Sequence, residues 1–321
     1  MKNKKIEDLS EDFKECYNKL DANLVKEMDN YRKKIVRAEI QTIICILGFF
    51  IIYYFQVSMK LNWQTTRIIV YLLILMILGF VASITACIIY GGLYKNKLKE
   101  EMIPQFAKNV NSNWTYVNLG RNIGKFSNSN IMSEYNNAEY DDIIVTKLEK
   151  ESDIIFGTLD SDISFQISEI KVYQEYVNDE GRNIEYMTFE GFFSWNETYI
   201  DIHNSLKINI NDNARKKIDK VQMDSSKFEE IFDVYCDDKI LAMRILTLDV
   251  MEMLLDFYYK SNLGFEICYK NNKIYIRYFT EELFNMRHMS STNNMDKYYS
   301  IFKFSTDFVK KITKSVEDIG L

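Results

Sequence analysis

The sequence predicts an α+β protein in two parts: a two-helix transmembrane hairpin with a helical stalk, then a cytoplasmic domain with a mainly antiparallel sheet and several helices. Three observations lead there. Residues 40–59 (IQTIICILGFFIIYYFQVSM) and 68–94 (IIVYLLILMILGFVASITACIIYGGLY) carry no charge, and about 20 helical residues cross a hydrocarbon layer ~30 Å thick. Both runs are flanked by apolar residues at helical spacing. Beyond residue 142 the pattern turns to β-branched and aromatic stretches that follow one another directly, which favours antiparallel or mixed pairing over a doubly wound parallel sheet. The expected divisions are an amphipathic or coiled helix over 1–37, the hairpin over 38–94, a stalk helix over 95–112 and the α+β domain over 113–321.

Taken in order, Ile6, Leu9, Phe13, Tyr17, Leu20, Leu24, Met28, Tyr31 and Ile35 recur every three or four residues with charges between them. That is the mark of an amphipathic helix, expected to run unbroken into the first span. The first run lies behind a highly charged segment and is soon followed by a second, unlike a signal peptide. The second run, at 27 residues, exceeds a perpendicular crossing, and tilt absorbs the excess. After it, Leu98, Met102, Phe106 and Val110 repeat the stripe across the single proline, Pro104, which should kink or punctuate the helix. The extensions of an antiparallel hairpin emerge side by side, so each stripe can bury part of the other as a short stalk. The same stripes would also serve a protein partner or a homo-oligomeric coiled coil. Lys33, Lys34 and Arg37 precede the first span and Lys95, Lys97 and Lys99 follow the second, against Lys60 and Arg67 in the connector. By the positive-inside bias both termini are cytoplasmic.

Residues 109–137 turn to Asn, Ser and Gly, read as a loosely structured passage with one short strand at 114–117. IIVTKL, IIFGTL, ISFQISEIKVY and IEYMTFEGFFSW then read as strands, with NDEG at 178–181 turning between the last two. LKINI and FDVYC add two more. Helices are expected at 238–246 and 248–259, the second introduced by Thr247. GFEICYK and KIYIRYF flank Asn271 and Asn272, a two-residue hairpin turn that accepts positive φ. Helices at 281–289 and 304–316 end the chain.

Charge and cysteine usage narrow the partners. Beyond Tyr94 lie 28 basic and 37 acidic residues, a net charge of −9 that repels nucleic acid and anionic headgroups. No nucleic-acid partner is expected. Cys45 and Cys87 fall within the spans, and Cys16, Cys236 and Cys268 are scattered without a CxxC pair, which suits a reducing compartment. The abundance of Asn, Lys and Ile fits the coding bias of an AT-rich bacterium.

The segment KFEEIFDVYCDDKILAMRILTLDVMEMLLDF at 227–257 resembles a signature of the bacterial membrane-protein family catalogued as domain of unknown function 3137. The matching positions are Phe228, Phe232, Val234, Tyr235, Asp238 and the ILT phrase at 245–247. Upstream, ISFQISEI at 163–170 and FEGFFSW at 189–195 are similar to two of the family's strands in the same order, and KIYIRYF also fits. The resemblance covers roughly residues 95–282. It implies two membrane helices ahead of the domain and transfers neither an activity nor catalytic residues.

Chemistry-bearing motifs are few. GRNIGKF at 120–126 has three residues between its glycines and Phe126 after the lysine, where a phosphate loop needs four and a hydroxyl. His203 and His288 are the only histidines, so histidine-based metal sites and Ser/His/Asp machinery are not expected, nor is any cofactor. The adjacent pairs Asp141/Asp142 and Asp237/Asp238 alternate faces on a strand; the second stands at a strand-to-helix junction, where a carboxylate caps free N–H groups. Glu169 and Glu190 are read as surface salt-bridging residues, the aromatic clusters as core, and NARKKIDK at 213–220 as a solvated loop. If the domain were catalytic, Asp238 and Glu169 are the carboxylates it would draw on.

The expected protein is thus a multi-pass component of the bacterial cytoplasmic membrane whose domain serves recognition or scaffolding and is not an enzyme. The rivals are a membrane-tethered, carboxylate-dependent hydrolase and an envelope or stress sensor that signals by oligomerisation through the stalk.

Overall fold

A computed structural model describes residues 10–58, 63–118, 130–138, 140, 146–158, 163–178, 180–198, 205–210, 220–261, 263–279 and 291–317. Two compact units emerge, Met1–Gln105 with Phe284–Asn294, and Phe106–Leu283 with Met295–Leu321.

The first unit is helical. Helix α1 (Glu11–Asn18) starts behind Ser10, whose Oγ accepts from the Phe13 N–H at 3.3 Å. Helix α2 (Ala22–Ser58) starts behind Asp21, which accepts from the Asn23 N–H at 2.8 Å through Oδ1 and from the Val25 N–H through its carbonyl. The expected unbroken helix is therefore divided at 19–21, because an aspartate that satisfies the first free N–H groups begins a new helix. The stripe survives the break: Phe13, Tyr17, Leu20, Leu24, Met28 and Ile35 are all buried.

Helix α3 (Trp63–Lys97) runs antiparallel to α2. Thr42 Oγ1 and Ser83 Oγ lie 2.8 Å apart, Cys87 Sγ reaches the Ile35 carbonyl, the rings of Tyr31 and Tyr90 are 6.4 Å apart, and Lys97 Nζ bonds to Glu27 at 2.6 Å. A π-turn (Leu98–Met102) follows, in which the Ile103 N–H donates to the Leu98 carbonyl, and α4 (Ile103–Val110) continues beyond it. The wider turn sits ahead of Pro104, which has no N–H and crowds the carbonyl four residues back. Both long helices are apolar and long enough to cross a membrane, and only 11% and 6% of their most apolar stretches are buried.

The second unit is built on one nine-stranded sheet. Its strands are β1 (Thr115–Val117), β2 (Lys147–Thr158), β3 (Ser164–Val177), β4 (Asn183–Glu197), β5 (Leu206–Ile210), β6 (Lys220–Val221), β7 (Phe232–Cys236), β8 (Gly264–Lys270) and β9 (Lys273–Phe279). They lie in the order β1-β2-β3-β4-β9-β8-β5-β7-β6, and every pairing among the described residues is antiparallel. The β8–β9 hairpin is thus inserted between β4 and β5. Asn271 and Asn272 turn it with φ of 50° and 59°, as the two-residue loop requires. Most of IIFGTL falls on β2, which begins within IIVTKL and is bulged after Leu148 and after Ser152.

The helices of this unit are α5 (Ile131–Asn137), α6 (Ser226–Glu229), α7 (Lys239–Ile245), α8 (Leu248–Ser261) and α9 (Ser291–Glu317). On one face of the sheet, Phe257 of α8 and Phe304 of α9 stack 3.9 Å apart over Phe265 and Tyr278, while Tyr298 meets Phe192 and Phe302 meets Trp114. On the other face, Ile131 and Tyr135 of α5 join Ile170, Val172, Phe189, Phe193, Cys268 and Tyr275. Helix α5 corrects the expectation of a loose passage, since burial of one apolar side outweighs a weak local propensity. Strand β6 and helix α6 are likewise additions, and α9 begins thirteen residues before the expected helix at 304. The expected helix at 281–289 lies outside the described residues.

Candidate functional site

The carboxylates singled out in the sequence do not converge. Asp238 is the N-cap of α7, where its Oδ1 accepts from the Leu241 N–H at 3.0 Å. Glu169 is buried on β3, opposite Phe192. Glu169 is on β3 and Asp238 follows β7; between these strands lie β4, β9, β8 and β5, so five strand spacings, about 24 Å along the sheet, separate β3 from β7. Glu190 pairs with Lys171 at 3.7 Å. Asp141, Asp142, His203, His288 and the glycine loop at 120–126 lie outside the described residues, as does most of the basic stretch at 213–220. Among the described residues no group of three or more His, Cys, Asp or Glu is placed to hold a metal ion.

A buried set of charged groups lies elsewhere, on the α5 face of β8 and β9. The two-residue turn places Glu266 opposite Arg277, both buried on strands whose other central positions are apolar or aromatic. Arg277 is 2% exposed; its Nε donates to Glu266 Oε2 at 2.7 Å and its Nη1 to the Tyr135 hydroxyl oxygen at 2.9 Å. The guanidinium lies 4.4 Å from the centre of the Tyr140 ring, a cation–π contact strengthened by loss of water. One step along, Glu134 of α5 accepts from Lys273 Nζ at 2.7 Å and from the Tyr275 hydroxyl at 3.1 Å.

Two phenols of this cluster are held in their neutral form. Burial, with the Glu134 carboxylate as second cause, pushes the Tyr275 hydroxyl far above the usual phenol range, and burial does the same to Tyr140. Both phenols stay neutral. The row continues across the sheet, where Lys220 bonds to Asp233 and Tyr235 OH lies 3.5 Å from Asp233 Oδ2. The carboxylate holds the Lys220 ammonium above its ordinary value. Chemically, this is a set of charges compensated within the fold, with a carboxylate and a phenol of α5 reaching the cationic side chains of β9.

Sequence reasoning missed the cluster although half of its signal was present. A charge at an inward position of GFEICYK and another in KIYIRYF, with a two-residue turn between, fix Glu266 and Arg277 as cross-strand partners. Tyr135 and Glu134, more than a hundred residues away, gave no comparable sign.

Residues 188–317 match the family described as Protein of unknown function (DUF3137). The DUF3137 match starts within β4 and ends with α9, so it holds Glu266, Lys273, Tyr275 and Arg277 but not Glu134, Tyr135 or Tyr140 of the same cluster. Compared with the resemblance seen in the sequence, the match reaches further toward the C-terminus and leaves out ISFQISEI at 163–170. No curated protein and no solved structure matches the chain.

Proposed function

We propose that this chain is an integral protein of the bacterial cytoplasmic membrane, held by the α2–α3 hairpin with both termini inside. Its α+β unit serves recognition or scaffolding there. The observation that carries the reading is the exposure of large apolar side chains along both helices, among them Phe50, Tyr54, Tyr71, Leu75 and Ile88. Apolar patches on soluble monomers rarely exceed a few hundred Å², and twenty-odd such side chains on two adjacent helices exceed that several-fold. Lys33, Lys34, Arg37, Lys95 and Lys97 border the same end of the hairpin, which supports the orientation. Recognition is supported by the internally paired charges of the Arg277 cluster, whose cations are committed to the fold, and by aromatic side chains left exposed at one end of the sheet.

The test is extraction of membranes from expressing cells. The chain is expected to resist alkaline carbonate and to be released by detergent. Release by carbonate or high salt alone would overturn the reading.

A further inference from the structure

We propose that a crevice between α2 and α3, within their apolar stretches, holds one acyl chain of a bilayer phospholipid. The crevice has a volume of about 320 Å³, with Cys45, Ile46 and Phe49 of α2 and Met76, Ile77 and Phe80 of α3 among its walls. No charged, hydroxyl or amide side chain lines it.

Two glycines set its floor. A Cβ at Gly48 would lie 2.6 Å from Met76 Cε, and one at Gly79 would lie 3.3 Å from Cys45 Sγ. Without those side chains Met76 rests on α2 and Cys45 on α3, and both line the crevice. About one turn from Cys45, Thr42 and Ser83 hold the helices together with their hydroxyl oxygens 2.8 Å apart, which closes the end nearer the basic residues.

The occupant follows from wall chemistry, size and depth. Apolar cavities stay dry, so water is a poor guest. One turn of a helix, about 5.4 Å tall and about 10 Å across, takes up about 420 Å³, more than the whole crevice, which leaves it too small for the span of a second copy. A hydrocarbon chain is thin and has no polar atom to satisfy, and the unbranched Met76 side chain can adapt to it. Cys45 to Phe50 lie about 8–15 Å inside the uncharged run that opens at Ile40, within one half of a hydrocarbon layer ~30 Å thick. Lys33 and Arg37, both exposed, stand about 12–18 Å before Cys45 on the same helix, at the level of phosphate headgroups. That level favours a phospholipid over a free fatty acid. The inference rests on the membrane reading above.

The test reconstitutes the full chain in phosphatidylglycerol vesicles that carry a trace of the same lipid with a diazirine midway along one acyl chain. Irradiation followed by peptide mass spectrometry maps the adducts. Labelling at Phe49, Met76 and Phe80 is expected to exceed several-fold that at Leu47 and Leu78, which are exposed at the same depth. Cys45→Phe fills the crevice from its floor and Ile77→Trp narrows it from its wall, and each is expected to cut this labelling several-fold; Leu78→Trp should leave it unchanged. Four results would each overturn the site: equal labelling at Leu47 and Leu78, labelling undiminished by both filling variants, a crevice left unlabelled as under a covering protein segment, or labelling from a diazirine fatty acid only. Membranes of the expressing cells are washed with carbonate alongside. A chain that stays in them yet labels evenly counts against the crevice alone, and one that leaves takes both proposals down.

Discussion

At Arg277 a guanidinium is held in the interior by Glu266, Tyr135 and the Tyr140 ring. A buried pair of this kind costs desolvation on both sides, so its removal as a pair differs from its breakage. Arg277→Met alone or Glu266→Met alone is expected to cost about 3–5 kcal/mol, because each leaves a stranded charge. The double variant should recover most of that loss. Denaturant titration followed by tryptophan fluorescence checks the cycle, and additive single effects would show that the two side chains are not coupled. Asp238 is the opposite case, a local device. Asp238→Ala should lower stability by about 0.5–2 kcal/mol while Asp238→Asn costs little, since Asn also caps; thermal melts of the two variants decide it. This cap was legible in the sequence because donor and acceptor are three residues apart. The partners of Arg277 on α5 were not, since nothing within a short window marks a tyrosine that closes over a strand 142 residues later.

Among elements, β4 depends on one backbone position. Gly191 has φ +156°, and a Cβ there would lie 2.1 Å from the Tyr278 carbonyl oxygen of β9. The missing side chain lets the insertion strand approach at the row where β9 ends. Gly191→Ala is therefore expected to destabilise by about 1–3 kcal/mol or more, with amide exchange faster in β9 than in β2; unchanged exchange in β9 would show that the strands separate elsewhere. The sheet itself was largely readable, because β3, β4, β5, β7, β8 and β9 each carry enough β-branched and aromatic residues to declare themselves. Helix α5 was not, since its seven residues lie in an Asn-rich passage and are fixed by Ile131 and Tyr135 packing on distant strands.

The helical extensions also carry a pH signature. Hydrogen bonds from Lys97 and then Tyr31 hold the Glu27 carboxyl below the usual carboxylate range, and the bond to Glu27 holds Lys97 above its own. A depressed carboxylate contributes its contact above its unfolded value and loses it as pH falls through the folded one; a raised ammonium loses its share as pH rises through the folded one. Spin labels at Asn23 and Glu100 should thus report a broadening of their distance in acid that Glu27→Gln abolishes. A pH-independent distance in the native pair would remove Glu27 from the contact.

For the whole molecule, the division of charge matters more than its total of −6. Basic residues gather where α2 and α3 leave their apolar stretches, and the acidic excess lies beyond Tyr94. Single cysteines at Asn62 and Asn183, in a chain without native cysteines, should therefore react differently with an impermeant maleimide on intact spheroplasts. Labelling at Asn62 only is expected. Labelling at Asn183 without Asn62 would invert the topology. The two apolar runs were plain in the sequence because length and hydropathy are local sums, whereas the break at Asp21 rests on a single hydrogen bond pattern within a continuous stripe.

The π-turn at Leu98–Met102 bears on which length changes this chain can tolerate. A helix that already holds one surplus residue in a wide turn can shed it and close into an ordinary α-turn without losing its hydrogen-bond ladder. Because the wide turn takes up that residue locally, its loss would leave Phe106 and Ala107, both fully buried, close to their present angular positions. A deletion in the regular part of the helix would instead rotate everything beyond it by about 100°. Relatives one residue shorter at this point are expected to keep the apolar stripe up to residue 110 without a compensating change.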